Sequence, residues 1–140
     1  MPKALQSHLR RGLEIRCLTP TDESSLARLF ETIHAAGDDR FFHPHPFTPA
    51  KARRLANAAG DDLYYIMTCD ADLLAYGMLR GWDAGYEVPS LGIVVHPAAR
   101  GQGWGHLMMH FLHAAARARG AKRIRLKVDP GNNVARQMYE

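Results

Sequence analysis

The run Arg100-Gly101-Gln102-Gly103-Trp104-Gly105 constrains the fold of this chain more than any other stretch. An apolar segment, Ser90 to His96, precedes it, and an amphipathic segment, Leu107 to Arg119, follows it. That order predicts a strand, a glycine-rich turn and a helix N-terminus. Backbone N–H groups converge at such a junction, and the aligned peptide dipoles add partial positive charge there. Glycine suits the turn because a side chain would hold a phosphate off the backbone, and because turn positions can require positive φ. The junction is therefore read as a phosphate cradle, with a plain tight β-to-α turn as the alternative.

The rest of the chain supplies a sheet and helices around this junction. Leu13 to Leu18 alternates and reads as a first strand. Thr19-Pro20 is a helix start, since threonine caps and proline is tolerated in the first turn. Leu26, Leu29, Phe30 and Ile33 then recur at helical spacing. Gly37-Asp38-Asp39 breaks that helix, and the two prolines within Arg40 to Phe47 exclude a regular element. Thr48-Pro49 repeats the start signal for a short helix to about Ala59. Asp62 to Cys69 and Leu73 to Arg80 read as a hairpin about Asp70-Ala71-Asp72, followed by a loop from Gly81 to Pro89. On the long helix, Gly103 to Arg119, the expected inner side is Leu107, Met108, Phe111, Leu112 and Ala115, with Gly120 as the stop. Arg123 to Val128 reads as a further strand and Asp129 to Asn132 as a turn into a last helix. The order β-α-α-β-β-β-α-β-α is mixed α/β: a central mixed sheet with flanking helices.

The pattern Arg-x-x-Gly-x-Gly between strand and helix, followed by the Arg123–Val128 strand and by Asn132-x-x-Ala135-x-x-x-Tyr139, resembles the GNAT superfamily of N-acetyltransferases. The resemblance covers Ser90 to Glu140. It implies the acyl-CoA N-acyltransferase fold, with acetyl-CoA as co-substrate and no metal. It further implies an enzyme that moves acetyl to a primary amine by direct transfer in a ternary complex. By the same resemblance, the N–H groups of Gln102, Gly103, Trp104 and Gly105 grip the pyrophosphate, with Arg100 beside it. The backbone of Ile93, Val94 and Val95 pairs with the pantetheine arm. Asn132 touches that arm or caps its own helix. Tyr139 matches the tyrosine that protonates the departing sulfur, a task suited to a phenol of pKa near 10. The chain ends one residue after Tyr139, where members of the superfamily continue with a Gly-Phe turn and one or two more strands. The expectation is a fold lacking its last strands, either because the chain is a piece of a longer one or because another subunit supplies them. A homodimer is accordingly an expected partner.

The base that takes the amine proton is less defined. Many members carry a glutamate near the position of Ser90, where this chain reads Pro89-Ser90-Leu91. Glu87 is close by and can act directly or through water. His43 and His45 lie in the segment that lines the acceptor pocket in this superfamily, and a water chain with no single base is the remaining option. Phe42, His45 and Trp82 are the expected acceptor contacts; a small satellite core is the alternative reading of the loop aromatics. Aromatics beside histidines suit a sugar, so an amino sugar, conceivably nucleotide-linked, is preferred to a polyamine. Neither His43-x-His45 nor the set His106, His110 and His113 has the ligands of a metal site.

A chain of 140 residues is one domain, 1–140, with 1–12 as a flexible tail. No apolar run approaches the roughly 20 residues that span a bilayer, and residues 1–12 lack a signal-peptide core. A cytoplasmic location and no membrane partner are expected. The formal net charge of +4 fits a polyanionic cofactor. It also fits nucleic acid, but the chain has no helix-turn-helix, zinc or aromatic-strand signature, so no nucleic-acid partner is expected. A non-catalytic acyl-CoA sensor of the same fold is the main rival. Cys17 and Cys69, both in apolar runs, are read as buried thiols.

Overall fold

The computed structural model describes residues 12–41 and 45–126. Five strands form one sheet in the order β1 (Leu13–Cys17), β2 (Leu63–Cys69), β3 (Asp72–Arg80), β4 (Ser90–Val95) and β5 (Arg125–Leu126). The first four are antiparallel to their neighbours, and β5 runs parallel to β4. That last pairing requires a crossover, which is α3 (Trp104–Ala118). Between β1 and β2 lie α1 (Glu23–Ala35) and α2 (Pro49–Ala56). This is the mixed α/β sheet with flanking helices that the sequence pattern predicts.

The two faces of the sheet carry separate cores. α1 buries Leu26, Leu29, Phe30 and Ile33, the stripe its spacing predicts, against Tyr76, Met78 and Val94. α3 buries Gly105, Met108, Leu112 and Ala116 against Ala75, Leu79 and Leu91 on the other face. Each fully buried aliphatic side chain contributes on the order of 1.5–3 kcal/mol. The expected inner side of α3 needs correction: Leu107 is 37% exposed, and the buried stripe falls on positions 105, 108, 112 and 116. The close approach is set by Gly77 on β3, where an added Cβ would lie 2.7 Å from Met108 Sδ and 3.2 Å from Leu112 Cδ1. Glycine there lets α3 settle directly on the strand.

Cys69 is buried as expected, but Cys17 is exposed. It sits at the end of β1, whose outer side has no partner strand among the described residues, so apolar sequence neighbours do not cover it. Among the described residues no helix is long and apolar enough to cross a membrane.

Candidate functional site

The junction between β4 and α3 is built from local geometry. After β4, His96 Nδ1 accepts the Ala98 N–H at 3.0 Å and opens a 3-10 turn, Pro97–Ala99. Gly101 and Gly103 follow with φ of +78° and +87°, values that strain any side-chain-bearing residue. An added Cβ at either position meets nothing within 4 Å, so backbone conformation, not crowding, requires glycine. The first hydrogen bond of α3 runs from the Leu107 N–H to the Gly103 carbonyl at 3.1 Å. The N–H groups of Trp104, Gly105 and His106 precede that bond, and no side chain caps the helix. Gln102 and Gly103 are exposed, Trp104 is half-buried and Gly105 is buried. These donors stand at the positive end of a 15-residue helix, with no side-chain cap hydrogen bond. A diphosphate fits that donor set by charge and by hydrogen-bonding capacity.

Two neighbours of this junction bear on its use. The pairing of β4 with β5 spans Ser90↔Arg125 and Leu91↔Leu126. Ile93, Val94 and Val95 lie past it; they pair with Gly77, Tyr76 and Ala75 of β3, and among the described residues no strand covers their other edge. Their side chains belong to the two cores, Val94 to one face and Ile93 and Val95 to the other. Arg100, next to the glycine turn, directs Nη1 to Asp38 Oδ2 at 2.8 Å. Asp38 opens a 3-10 turn, Asp38–Phe41, after α1. Sequence reading took Asp38 only as part of a helix break, and no local signal links it to Arg100.

The predicted catalytic and acceptor residues are placed less uniformly. Phe42, His43, Asn132 and Tyr139 lie outside the described residues. Glu87 is exposed on the loop leading into β4. Trp82 is half-buried, packs against the α3-side core and carries the Arg119 guanidinium 4.9 Å from its ring centroid. His45 is 6% exposed and sits among Phe30, Phe47 and Tyr76, inside the α1-side core. Its Nδ1 lies 2.9 Å from the Pro46 carbonyl and its Nε2 3.1 Å from the Tyr76 hydroxyl. The neutral ring therefore donates through Nδ1 and accepts from Tyr76. Burial, with smaller contributions from the charges of Lys51 and Arg80, pushes its pKa down to about 4, while burial raises that of Tyr76 well above 10. Both ring nitrogens are thus engaged within the core. The Pro-His-Pro context gave no means of telling a buried ring from a solvent-lined one.

The Lys51 ammonium, at the start of α2, is held below its ordinary pKa by burial and by the charges of Arg80 and Arg54. Among the described residues no three His, Cys, Asp or Glu side chains converge as metal ligands. His106, His110 and His113 are exposed along α3.

Known proteins agree with this geometry. The chain superposes on the solved GNAT domain of S. lividans PAT with a TM-score of 0.76 at 22% identity, covering 93% of this chain and 81% of that one. It superposes on a GNAT-family acetyltransferase from Streptococcus pneumoniae with a TM-score of 0.73 at 18% identity, covering 91% and 80%. At these identities the likeness is one of fold. In sequence it is 35% identical over 79 residues to the mycothiol acetyltransferase of Streptomyces coelicolor, a match covering 56% of this chain and 24% of that protein. The chain thus spans about a quarter of that relative's length. A sequence model of the acetyltransferase (GNAT) family matches residues 29–140, which takes in the glycine turn, the helix it opens and both cores, and the chain belongs to that family.

Proposed function

We propose that this chain is an acetyl-CoA-dependent N-acetyltransferase of the cytoplasm that acetylates a primary amine of a small molecule by direct transfer in a ternary complex. The observation that carries the reading is the uncapped start of α3: N–H donors behind two left-handed glycines, at the end of a strand whose edge past Leu91 has no partner strand among the described residues. Acetyl-CoA, when bound, supplies an acetyl thioester. The backbone N–H groups of Gln102, Gly103, Trp104 and Gly105 hold its pyrophosphate, and the edge of Ile93, Val94 and Val95 aligns its arm, with Asn132 beside it. Holding the two reactants together converts a bimolecular encounter into an intramolecular one. Glu87, directly or through water, takes the proton of the attacking amine, with His43 as the other candidate base. The Tyr139 hydroxyl gives its proton to the sulfur as the carbon–sulfur bond breaks.

For the acceptor, an amino sugar carrying an anionic group is preferred to a polyamine. The cationic side chains about Lys51 favour an anion and repel a polycation. Phe42 and the uncovered part of Trp82 are the candidate stacking surfaces.

Calorimetric titration with acetyl-CoA, followed by acetylation assays over a panel of amines, tests the reading. Micromolar binding with turnover on at least one amine is expected. Binding without turnover on any amine would favour a non-catalytic sensor of the same fold, and no binding would refute both. Tyr139→Phe is expected to lower kcat about a hundredfold, the lower end for loss of a general acid, with acetyl-CoA affinity little changed; unchanged turnover would remove Tyr139 from the mechanism.

A further inference from the structure

Arg100 belongs to the glycine turn, yet its guanidinium is engaged by a carboxylate from the other side of the fold. The contact joins Nη1 to Asp38 Oδ2 at 2.8 Å, and the two side chains remain 35% and 26% exposed. An ion pair open to water to this extent can exchange partners without stranding a buried charge. Asp38 lies just past the end of α1, after Gly37 with φ of +76°.

We propose that Asp38 is the counter-ion displaced from Arg100 when a diphosphate enters the cradle, which makes Asp38 a determinant of cofactor affinity. The proposal rests on the acetyl-CoA reading above. A carboxylate left beside a bound diphosphate is a like charge and opposes it. Transfer of the guanidinium from Asp38 to the diphosphate removes that opposition and unties the Asp38–Phe41 turn from the glycine turn.

The test uses the full chain with acetyl-CoA as the probe. Acetyl-CoA affinity is measured for the wild type, Asp38→Asn, Arg100→Gln and the double variant, and amide hydrogen exchange is followed at residues 38–41 with and without acetyl-CoA. Asp38→Asn is expected to bind about fivefold more tightly, the scale of one partly exposed ion pair, and Arg100→Gln more weakly. Exchange at residues 38–41 is expected to accelerate on adding acetyl-CoA to the wild type, and to be already fast in Asp38→Asn. A carboxylate that only stabilised the fold would shift the melting temperature without this ligand dependence. Equal or weaker binding by Asp38→Asn, or wild-type exchange that acetyl-CoA leaves unchanged or slows, would overturn the proposal. Failure of the wild type to bind acetyl-CoA at all would overturn the cofactor reading, and the exchange with it.

Discussion

Two helices in this molecule begin just after a strand, and they treat the same physical problem in opposite ways. In the 3-10 turn Pro20–Asp22 that leads from β1 into α1, the polar groups are answered from within. Asp22 Oδ2 accepts the Thr19 N–H at 2.8 Å, and both carboxylate oxygens take Arg16 in a two-point pair at 2.7 Å. Asp22 is 7% exposed. At the start of α3, after β4, a left-handed glycine stands where a cap would be, and the nearby arginine makes a single partly exposed contact with a distant aspartate. The ingredients are alike: strand, turn, arginine, aspartate, helix. The first arrangement spends its hydrogen-bonding capacity on the fold, and in the second no side chain caps the helix start. The α2 start belongs with the first, since Thr48 Oγ1 accepts the Lys51 N–H at 3.1 Å.

The contrast can be broken at its open end first. Gly103→Glu places a carboxylate and a strained backbone in the cradle, and acetyl-CoA affinity is expected to fall about a thousandfold, the scale of several lost charge-assisted hydrogen bonds. An added Cβ at Gly103 meets nothing, but the left-handed backbone costs about 1–2 kcal/mol with any side chain, so the melting temperature should fall by only several degrees and the fold be kept. A cradle that still bound acetyl-CoA with this change would not be the pyrophosphate site.

The closed half should instead reveal itself in acid. The His45 ring is held at about 4 against an ordinary value of 6.5. The unfolded chain therefore binds a proton that the folded one resists, so the contribution of His45 is complete above about pH 6.5 and is lost as pH falls toward 4. The loss amounts to roughly 3 kcal/mol. Urea unfolding of the wild type and His45→Phe at pH 7 and pH 4.5 should show a steeper acid decline for the wild type; equal declines would mean the ring is not buried neutral.

Asp22→Asn should cost the fold about 2 kcal/mol, since one charge-assisted pair becomes neutral, while acetyl-CoA affinity stays unchanged. Its hydrogen bond with Arg16 holds the Asp22 carboxyl below the usual range. The stability it gives is present above about pH 4 and disappears as pH falls through its depressed value. A change in acetyl-CoA affinity would show that the two helix starts are not independent.

What the sequence revealed follows the same division. Periodicity placed α1, and its buried stripe of Leu26, Leu29, Phe30 and Ile33 was legible residue by residue because an amphipathic helix repeats one signal over several turns. The glycine turn was legible because positive φ and an uncapped helix leave a compositional trace. His45, Cys17 and the Asp38–Arg100 pair were not. Their status depends on what covers a side chain or reaches it from elsewhere in the fold, and nothing in the neighbouring residues encodes that. Leu107 failed for a smaller reason: on a helix rich in apolar residues several adjacent stripes look alike, and only the docking at Gly77 selects one.

The strand order has a further consequence for how such a chain can diversify. β2, β3 and β4 form a continuous meander, whereas β1 and β5 each join it from one edge after a helical excursion. One excursion carries α1 and α2; the other carries α3 and the glycine turn. Each is anchored to the meander on its own face, so substitutions in the first can accumulate, and acceptor preference can drift, without repacking the second. Lineages that share little sequence can keep one donor chemistry while their acceptors diverge, and the Asp38–Arg100 contact marks a place where the two histories must stay compatible.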